Sequence, residues 1–271
     1  MIAVVLARGE GRRMRAEPEA AALTPAQAEA ADRGHKALMP VGAGDGRPFL
    51  DYVLASLADA GCTLACLVIG PQQAEMRRRY LREVAPRRIA VAFAEQRDAD
   101  GTARAVLAAE PYVGEHPFLV LNGDNLYPVE AMRALTAIPG PGVAAFARDQ
   151  LVSASNIPPA RVAAFALLQT SADGFVTRIV EKPGPDVVEA AGPGALVSMN
   201  LWRLDASLFP ALRAVPRSVR GEFELPQAVQ LAITGGLALR AVRARGGVLD
   251  LSGRADVAEV GRRLARVEVR L

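Results

Sequence analysis

Short apolar runs alternate with segments of helical spacing along the first half of the chain. The runs predict four strands, Ile2–Leu6, Leu64–Ile69, Ile89–Ala94 and Phe118–Leu121. Apolar residues three and four positions apart predict helices at Phe49–Ala60, Gln72–Val84 and Thr102–Glu110. Continuous Val, Ile and Leu runs that alternate with helices are typical of a mainly parallel sheet with both faces covered.

After about residue 140 strand-like runs predominate, with only short helices between them. Strands are predicted at Val143–Ala147, Val162–Leu168, Val176–Val180 and Leu196–Leu204, and near Leu237–Val242 and Val248–Leu251. The last predicted helices are Glu224–Ile233 and Ala255–Val267. The sequence shows no internal repeat, no linker and no hexapeptide pattern of a β-helix domain. We therefore predict a single-domain, Rossmann-like α/β fold with a mixed, mainly parallel sheet flanked by helices.

Residues 15–34 break this alternation, because they are rich in Ala and Glu. Thr24 followed by Pro25 predicts a helix N-cap with a first-turn proline. We expect a short helix or a flap here.

Composition narrows the function classes. The 271 residues carry a net charge of only +3, and the basic residues are scattered, so no nucleic-acid partner is expected. No apolar run approaches the roughly 20 residues of a membrane helix, and the first run is too short for a signal peptide. We expect a cytoplasmic protein without a membrane partner. Cys62 and Cys66 lack a nearby third ligand and are predicted to be buried apolar residues rather than a metal or redox pair.

Lysine is rare in this chain. Of the 32 Lys and Arg residues only Lys36 and Lys182 are lysines. In a sequence biased toward Arg, a retained Lys marks a place where a compact, flexible charge is needed and a planar fork does not fit. Both lysines are therefore candidate site residues.

A glycine-rich turn follows the first strand. Gly9 and Gly11 lie in Leu6-Ala7-Arg8-Gly9-Glu10-Gly11-Arg12-Arg13-Met14, where backbone N–H groups can approach a phosphate closely. The string is neither a P-loop nor a dinucleotide fingerprint, and a bare tight turn is the alternative. Arg13, directly after the turn, favours triphosphate binding.

This string resembles the Leu-Ala-x-Gly-x-Gly-x-Arg signature of the sugar-1-phosphate nucleotidyltransferases (NDP-sugar pyrophosphorylases), and the thymidylyltransferase-like members are most similar in motif. Five further segments follow in that family's order, His35–Val41, Gln96–Ala103, Leu121–Tyr127, Val180–Pro183 and Arg220–Leu225, and Gly247–Asp250 resembles its late metal-binding strand. The resemblance implies the nucleotide-diphospho-sugar transferase fold and transfer of a nucleotidyl group from a nucleoside triphosphate to a sugar 1-phosphate. It also implies that residues 1–140 mainly bind nucleotide, that residues 141–271 mainly bind the sugar phosphate, and that a homo-oligomer is to be considered.

Carried over position by position, the resemblance implies four groups of site residues. Catalytic roles fall on Arg13, Lys36, Asp124 and Lys182. Nucleotide contacts fall on Leu6, Ala7, Gly9, Gly11, Arg13, Gln96, Gly101 and Thr102. Contacts with the sugar phosphate fall on Glu181, Lys182, Asn200, Arg220 and Glu222. The metal ligands are Asp124 and Asp250, and the expected cofactor is Mg²⁺.

The chemistry of such a transfer fits these residue types. A phosphate monoester has its second pKa near ~6, so the attacking oxygen is ionised at pH 7 and no general base is needed. The reaction needs charge neutralisation and alignment of two anions, which two strand-end aspartates with Mg²⁺ would supply. Gln96 and Gly101 have the spacing of uridylyl- and thymidylyl-transferring members, which favours dTTP or UTP.

The chain departs from the family pattern at several places. Arg12 stands where a small residue is usual, the interval from Arg13 to Lys36 is long, Asn200 stands where many members have Gly, and Ser252-Gly253 replaces the usual Gly-Thr. An amide at position 200 points to an atypical sugar or a non-sugar phosphate.

Simpler roles stay open for several residues. Asp124 and Asp250 are alternatively helix caps, Arg13 a solvated arginine, Glu181 an exposed turn residue and Glu222 part of a capping box. Trp202 is expected in the core rather than as a stacking platform. The functional alternatives are transfer to a non-sugar phosphate, phosphonate or cyclitol phosphate, a glycosyltransferase, and a catalytically silent nucleotide-sugar-binding protein.

Overall fold

A nine-stranded sheet forms the centre of the computed structural model, which describes residues 1–9, 11–16, 23–44 and 46–271. Its strands are β1 (Ile2–Leu6), β4 (Leu64–Ile69), β5 (Ala90–Glu95), β6 (Phe118–Asn122), β8 (Gly142–Ala147), β9 (Ala166–Thr170), β10 (Val176–Val180), β11 (Leu196–Leu204) and β12 (Arg240–Ala244). Two small sheets pair β2 (Pro40–Val41) with β3 (Arg47–Pro48) and β7 (Asn125–Leu126) with β13 (Leu249–Asp250).

Most strands of the large sheet run in one direction. The order is β10-β9-β11-β6-β1-β4-β5, and β8 joins β11 to β12. β1 is parallel to β4 and β6, β4 is parallel to β5, and β8 is parallel to β12. β11 is antiparallel to β6, β8 and β9, and β10 is antiparallel to β9. Only β10 and β11 among the described strands of this sheet therefore oppose the others, which confirms the mixed, mainly parallel α/β prediction.

Twelve α-helices of the described chain flank the sheets. They are α1 (Arg12–Ala16), α2 (Pro25–Asp32), α3 (Phe49–Asp59), α4 (Ala74–Arg78), α5 (Thr102–Ala108), α6 (Glu110–Val113), α7 (Val129–Ala137), α8 (Arg148–Ala154), α9 (Pro185–Ala190), α10 (Phe209–Ala214), α11 (Leu225–Thr234) and α12 (Arg254–Leu264). None of the helices in the described ranges is both long and apolar enough to cross a membrane.

Several predicted elements differ from the observed ones. Pro159–Ala164 forms a 3₁₀ helix, so the strand predicted at Val162–Leu168 begins only at Ala166. The segment Gln72–Val84 is α4 followed by a π-helical turn at Arg79–Glu83, in which Arg79 and Tyr80 bind the buried Asp51. Apolar spacing alone predicted neither break, because both depend on partners distant in sequence.

The predicted cap of the insert is present. Thr24 Oγ1 accepts from the Gln27 backbone N–H, and Gln27 Oε1 accepts from the Thr24 N–H, which forms a capping box before α2. The part of the insert between 17 and 22 lies outside the described residues. Gln27 also donates to the Pro40 carbonyl at 2.9 Å, and this bond attaches α2 to β2.

Two buried apolar clusters cover the two faces of the sheet. Trp202 is fully buried, as predicted for a core residue. Cys62 and Cys66 are buried free thiols, and burial raises their pKa values to about 11 and about 12. The prediction that they are apolar core residues is confirmed. The site elements therefore project from a closely packed scaffold.

Candidate active site

A cavity of about 410 Å³ opens where β1, β5 and β6 end. Carboxyl ends of parallel strands meet at one edge of such a sheet, which is where α/β proteins bind ligands. The sequence-predicted residues among its lining are Leu6, Ala7, Gly9, Lys36, Gln96, Gly101, Thr102, Asp124, Asn200 and Glu222. Those outside the lining are Gly11, Arg13, Glu181, Lys182, Arg220 and Asp250.

The glycine-rich turn is shaped by close backbone contact. Gly11 has φ +59°, and a Cβ there would lie 2.5 Å from the Gly34 carbonyl oxygen. Gly11 thus lets the turn pack against the segment that leads into Lys36. Arg13 is exposed on α1, whereas Arg12 lines the cavity. Arg12, the residue that departs from the family pattern, therefore brings its positive charge to the cavity.

Lys36 and Asp124 meet inside the cavity. Lys36 Nζ lies 3.1 Å from Asp124 Oδ2, and the two side chains are 16% and 30% exposed. Lys36 begins a 3₁₀ helix, and Asp124 follows β6, so residues 88 positions apart come together only in the folded chain. The ammonium and the carboxylate therefore form an ion pair at the wall of the cavity.

Asp250 lies behind Asp124. It pairs with Asn125 across β7 and β13, and Asn125 Nδ2 donates to its Oδ1 at 2.9 Å. Ser252 Oγ also donates to it, and Arg161 Nη1 donates to its Oδ2 at 2.9 Å. Burial raises the Asp250 pKa, and the charge of Asp124 adds to this effect. The two carboxylates therefore lie within each other's field.

Asp124 and Asp250 are of the ligand type that Mg²⁺ prefers. Mg²⁺ prefers oxygen ligands and is commonly held by one or two carboxylates, with water and substrate phosphates completing its shell. Asp124 lines the cavity, whereas Asp250 lies outside the lining and its carboxylate accepts from Asn125, Ser252 and Arg161. In the described ranges no cluster of three or more His, Cys, Asp or Glu side chains suits a metal ion, so a metal here would depend on the substrate for further ligands.

The loop after β5 closes the opposite side of the cavity. Gln96 is only 7% exposed, and its Nε2 donates to Asp100 Oδ1 and to the Gly101 carbonyl, both at 3.0 Å. A Cβ on Gly101 would lie 2.3 Å from the Phe223 carbonyl oxygen. The absence of a side chain at Gly101 therefore lets the segment before α11 approach this loop closely.

Of the polar residues predicted in the second half of the chain, Asn200 lines the cavity, whereas Glu181 and Lys182 lie outside its lining. Asn200 has φ +59° at an irregularity of β11, and it accepts from Trp202 Nε1 at 3.4 Å. Lys182, just after β10, is exposed and has φ +45°. Burial raises the pKa of its neighbour Glu181 to about 7; the charge of Glu224 adds to this, and that of Arg220 opposes it.

Arg220 is engaged within the protein. Its Nε lies 2.9 Å from Oε1 of Glu224, a buried residue at the start of α11. Glu222, between the two paired residues in sequence, lines the cavity. Arg220 itself lies outside the cavity lining.

The simpler cap roles do not hold for the carboxylates. The residue preceding α7 is Pro128 and the one preceding α12 is Gly253, so neither Asp124 nor Asp250 is an N-cap. Asp256 supplies the capping contacts of α12 instead. Glu224 precedes α11 and makes no side-chain capping bond, so Glu222 forms no capping box there.

Sequence reasoning missed several polar residues of the lining, among them Arg8, Gln73 and Glu75. Arg8 donates from Nε to the Gln96 carbonyl at 2.8 Å and from Nη2 to the Arg97 carbonyl at 2.8 Å. Gln73 donates to the Ala7 carbonyl at 3.0 Å and accepts from the Gly70 N–H at 2.7 Å. Arg8 occupies a variable position of the glycine-rich signature, and its place next to the strand end was the one signal available.

Comparisons with known proteins agree with this geometry. The chain is 28% identical over 267 residues to UTP–glucose-1-phosphate uridylyltransferase AglF of Haloferax volcanii, and the alignment covers 97% of this chain and 96% of that protein. It is 29% identical to a glucose-1-phosphate thymidylyltransferase of Streptomyces antibioticus, over 97% of this chain and 65% of that protein.

The fold is shared with a solved UDP-glucose pyrophosphorylase complexed with UDP-glucose. The TM-score is 0.73 at 16% identity, over 97% of both chains. The family model described as Nucleotidyl transferase matches residues 2–248. This match spans the whole cavity up to the start of β13, and the chain belongs to the nucleotidyl transferase family.

Proposed function

We propose that this nucleotidyltransferase transfers a nucleotidyl group from UTP or dTTP to a sugar 1-phosphate, releasing pyrophosphate, with Mg²⁺ as cofactor. The observation that carries the proposal is the composition of one cavity. A glycine-rich turn, the Lys36–Asp124 pair and the Gln96 amide line its first-half side, and Asn200 and Glu222 line the side from the second half. The relatives named for uridylyl and thymidylyl transfer to glucose 1-phosphate support the same substrates.

In this proposal the two halves of the chain bind different substrates. Residues 1–140 hold the nucleotide through the turn after β1 and the loop after β5. Residues 141–271 hold the sugar phosphate through Glu181, Lys182, Asn200 and the loop bearing Glu222. β11 supports this division, because Trp202 pairs with Val120 of β6 and residues 196–198 therefore extend beyond the end of β6.

The end of β10 lies level with the part of β11 that extends beyond β6. Val197 pairs with Leu167 of β9, and Leu167 pairs with Val180 of β10. Glu181 and Lys182 follow Val180 directly. This register supports a role for Glu181 and Lys182 beside the cavity, although neither is part of its lining.

The proposed reaction is one displacement at phosphorus. An oxygen of the sugar 1-phosphate attacks the α-phosphorus, the bond from this phosphorus to the bridging oxygen breaks, and pyrophosphate leaves with the electron pair. Because the attacking phosphate is largely ionised at pH 7, no side chain has to remove a proton. The contribution of the protein is alignment and neutralisation of charge.

Each charged residue has a part in that alignment. Lys36 supplies a positive charge on the triphosphate side, and Arg12 or Arg13 of α1 contacts the departing pyrophosphate. Lys182 neutralises the attacking phosphate. A Mg²⁺ ion held by Asp124 and Asp250 would offset the negative charge on both phosphates.

The test is a grid of substrates. Pyrophosphate release is measured with Mg²⁺ for five nucleoside triphosphates against a panel of sugar 1-phosphates. Release confined to UTP or dTTP with one or a few sugars supports the proposal. If no pair of substrates releases pyrophosphate although UTP still binds, transfer to these sugars is refuted. That result would favour a non-sugar phosphate as acceptor, an alternative that the amide of Asn200 in the cavity lining supports.

A further inference from the structure

The Gln96 side chain presents only one end of its amide to the cavity. Its Nε2 is occupied, because it donates to Asp100 Oδ1 and to the Gly101 carbonyl. Its Oε1 accepts no hydrogen bond from the described chain, yet it is not among the buried polar atoms left without a partner. Because Gln96 lines the cavity, this accessible oxygen is an acceptor available to a ligand.

The orientation of this amide follows from its partners. Both contacts of Nε2 are acceptors, one a carboxylate and the other a carbonyl. Turning the amide over would place Oε1 against both of them and would lose a charge-assisted hydrogen bond. A bond of this kind corresponds to a population ratio on the order of 10- to 100-fold in favour of the observed orientation.

The backbone around Asp100 is held from two sides. The Phe223 N–H donates to the Asp100 carbonyl at 2.7 Å, and the Ala103 N–H donates to the Phe223 carbonyl at 2.9 Å. Arg8 bonds the carbonyls of Gln96 and Arg97 at the other end of the loop. Asp100 and Gln96 therefore keep their relative positions without a ligand.

We propose that Asp100 is a positioning residue that sets the polarity of the Gln96 amide and thereby makes the site select uracil or thymine over cytosine. At position N3, uracil and thymine carry a donor, N3–H, whereas cytosine carries an acceptor, so an acceptor placed opposite N3 distinguishes them. The inference rests on the proposed function, since it concerns the base of the bound nucleotide. It assigns the base preference to a carboxylate that need not touch the base.

Isothermal titration calorimetry with UTP, dTTP and CTP tests this assignment. We expect the unmodified protein to bind UTP and dTTP at least about tenfold more tightly than CTP. In Asp100→Asn the new amide can donate to Gln96 Oε1 as well as accept from Nε2, so residue 100 no longer opposes the reversed orientation and only the Gly101 carbonyl still does. The ratio of UTP to CTP affinity should then fall about tenfold.

Asp98→Asn is the matched control. Asp98 is exposed in the same loop, and the same change of charge there should leave the ratio unaltered. Asp100→Ser is a second variant, because a hydroxyl also donates and accepts, and it should lower the ratio as Asp100→Asn does. A ratio that stays at the unmodified value in either folded variant overturns the proposal.

A substrate analogue tests the acceptor without any substitution. 3-Methyl-UTP lacks the N3–H donor, so we expect it to bind at least about tenfold more weakly than UTP. Equal binding of UTP and 3-methyl-UTP, or of UTP and CTP, would overturn the inference while leaving nucleotidyl transfer intact. An unmodified protein that binds no nucleoside triphosphate would instead refute the proposed function, and the inference with it.

Discussion

The negative charge of Glu181 destabilises the folded protein, and a single substitution removes it. Burial beside Glu224 raises its pKa from 4.5 to about 7, a difference of about 2.5 pH units. The folded state therefore binds the proton more tightly than the unfolded state does. The resulting loss of stability is absent below pH 4.5, grows as the pH rises toward 7 and is constant above it.

The magnitude follows from this difference. One pH unit corresponds to about 1.4 kcal/mol, so the charged Glu181 costs about 3 kcal/mol of unfolding free energy at pH 8 and about 1.4 kcal/mol at pH 5.5. Glu181→Gln keeps the shape of the side chain and removes the charge. We expect the variant to be more stable than the unmodified protein by these amounts, so the gain should roughly double between the two pH values.

Urea unfolding at pH 5.5 and pH 8 measures both free energies. Glu115→Gln is the control, because Glu115 is exposed and its replacement should change the free energy of unfolding by less than about 0.5 kcal/mol at either pH. A Glu181→Gln variant that gains equally at both pH values, or that is destabilised at pH 8, would refute the reasoning. Either result would mean that the Glu181 charge is solvated or paired in the folded protein.

Three further predictions follow from the site and the core. Asp124→Asn should lower kcat for pyrophosphate release by about 100-fold or more at an unchanged melting temperature, and full activity would contradict the metal assignment. Gly101→Ala, whose Cβ would meet the Phe223 carbonyl, should destabilise the protein by about 2 kcal/mol or more in urea. Gly140→Ala, with open space around it, should change stability by less than about 0.5 kcal/mol, and equal effects would disprove the close contact. A thiol reagent at pH 8 should modify neither Cys62 nor Cys66 before urea is added and both afterwards; modification of the folded protein would show that the thiols are accessible.

Local pattern determined much of the fold. β4, β10 and β11 have the predicted bounds, and Thr24 caps α2 as its sequence indicates. These features depend on side chains within one turn or one strand, where apolar spacing and capping chemistry act. The order of motifs also identified the family and some of the polar residues that line the cavity, such as Lys36, Gln96 and Asp124, because residues at strand ends of a parallel sheet converge whatever the details of the loops.

Only the tertiary structure decided which polar groups act on each other. Lys36 meets Asp124 across 88 positions, and the Gln96 amide takes its orientation from Asp100 and from a carbonyl held by Phe223. The pKa of Glu181 depends on burial and on a carboxylate of another element. Hydrogen-bond polarity and desolvation are properties of atoms brought together by folding, so no spacing along the chain encodes them.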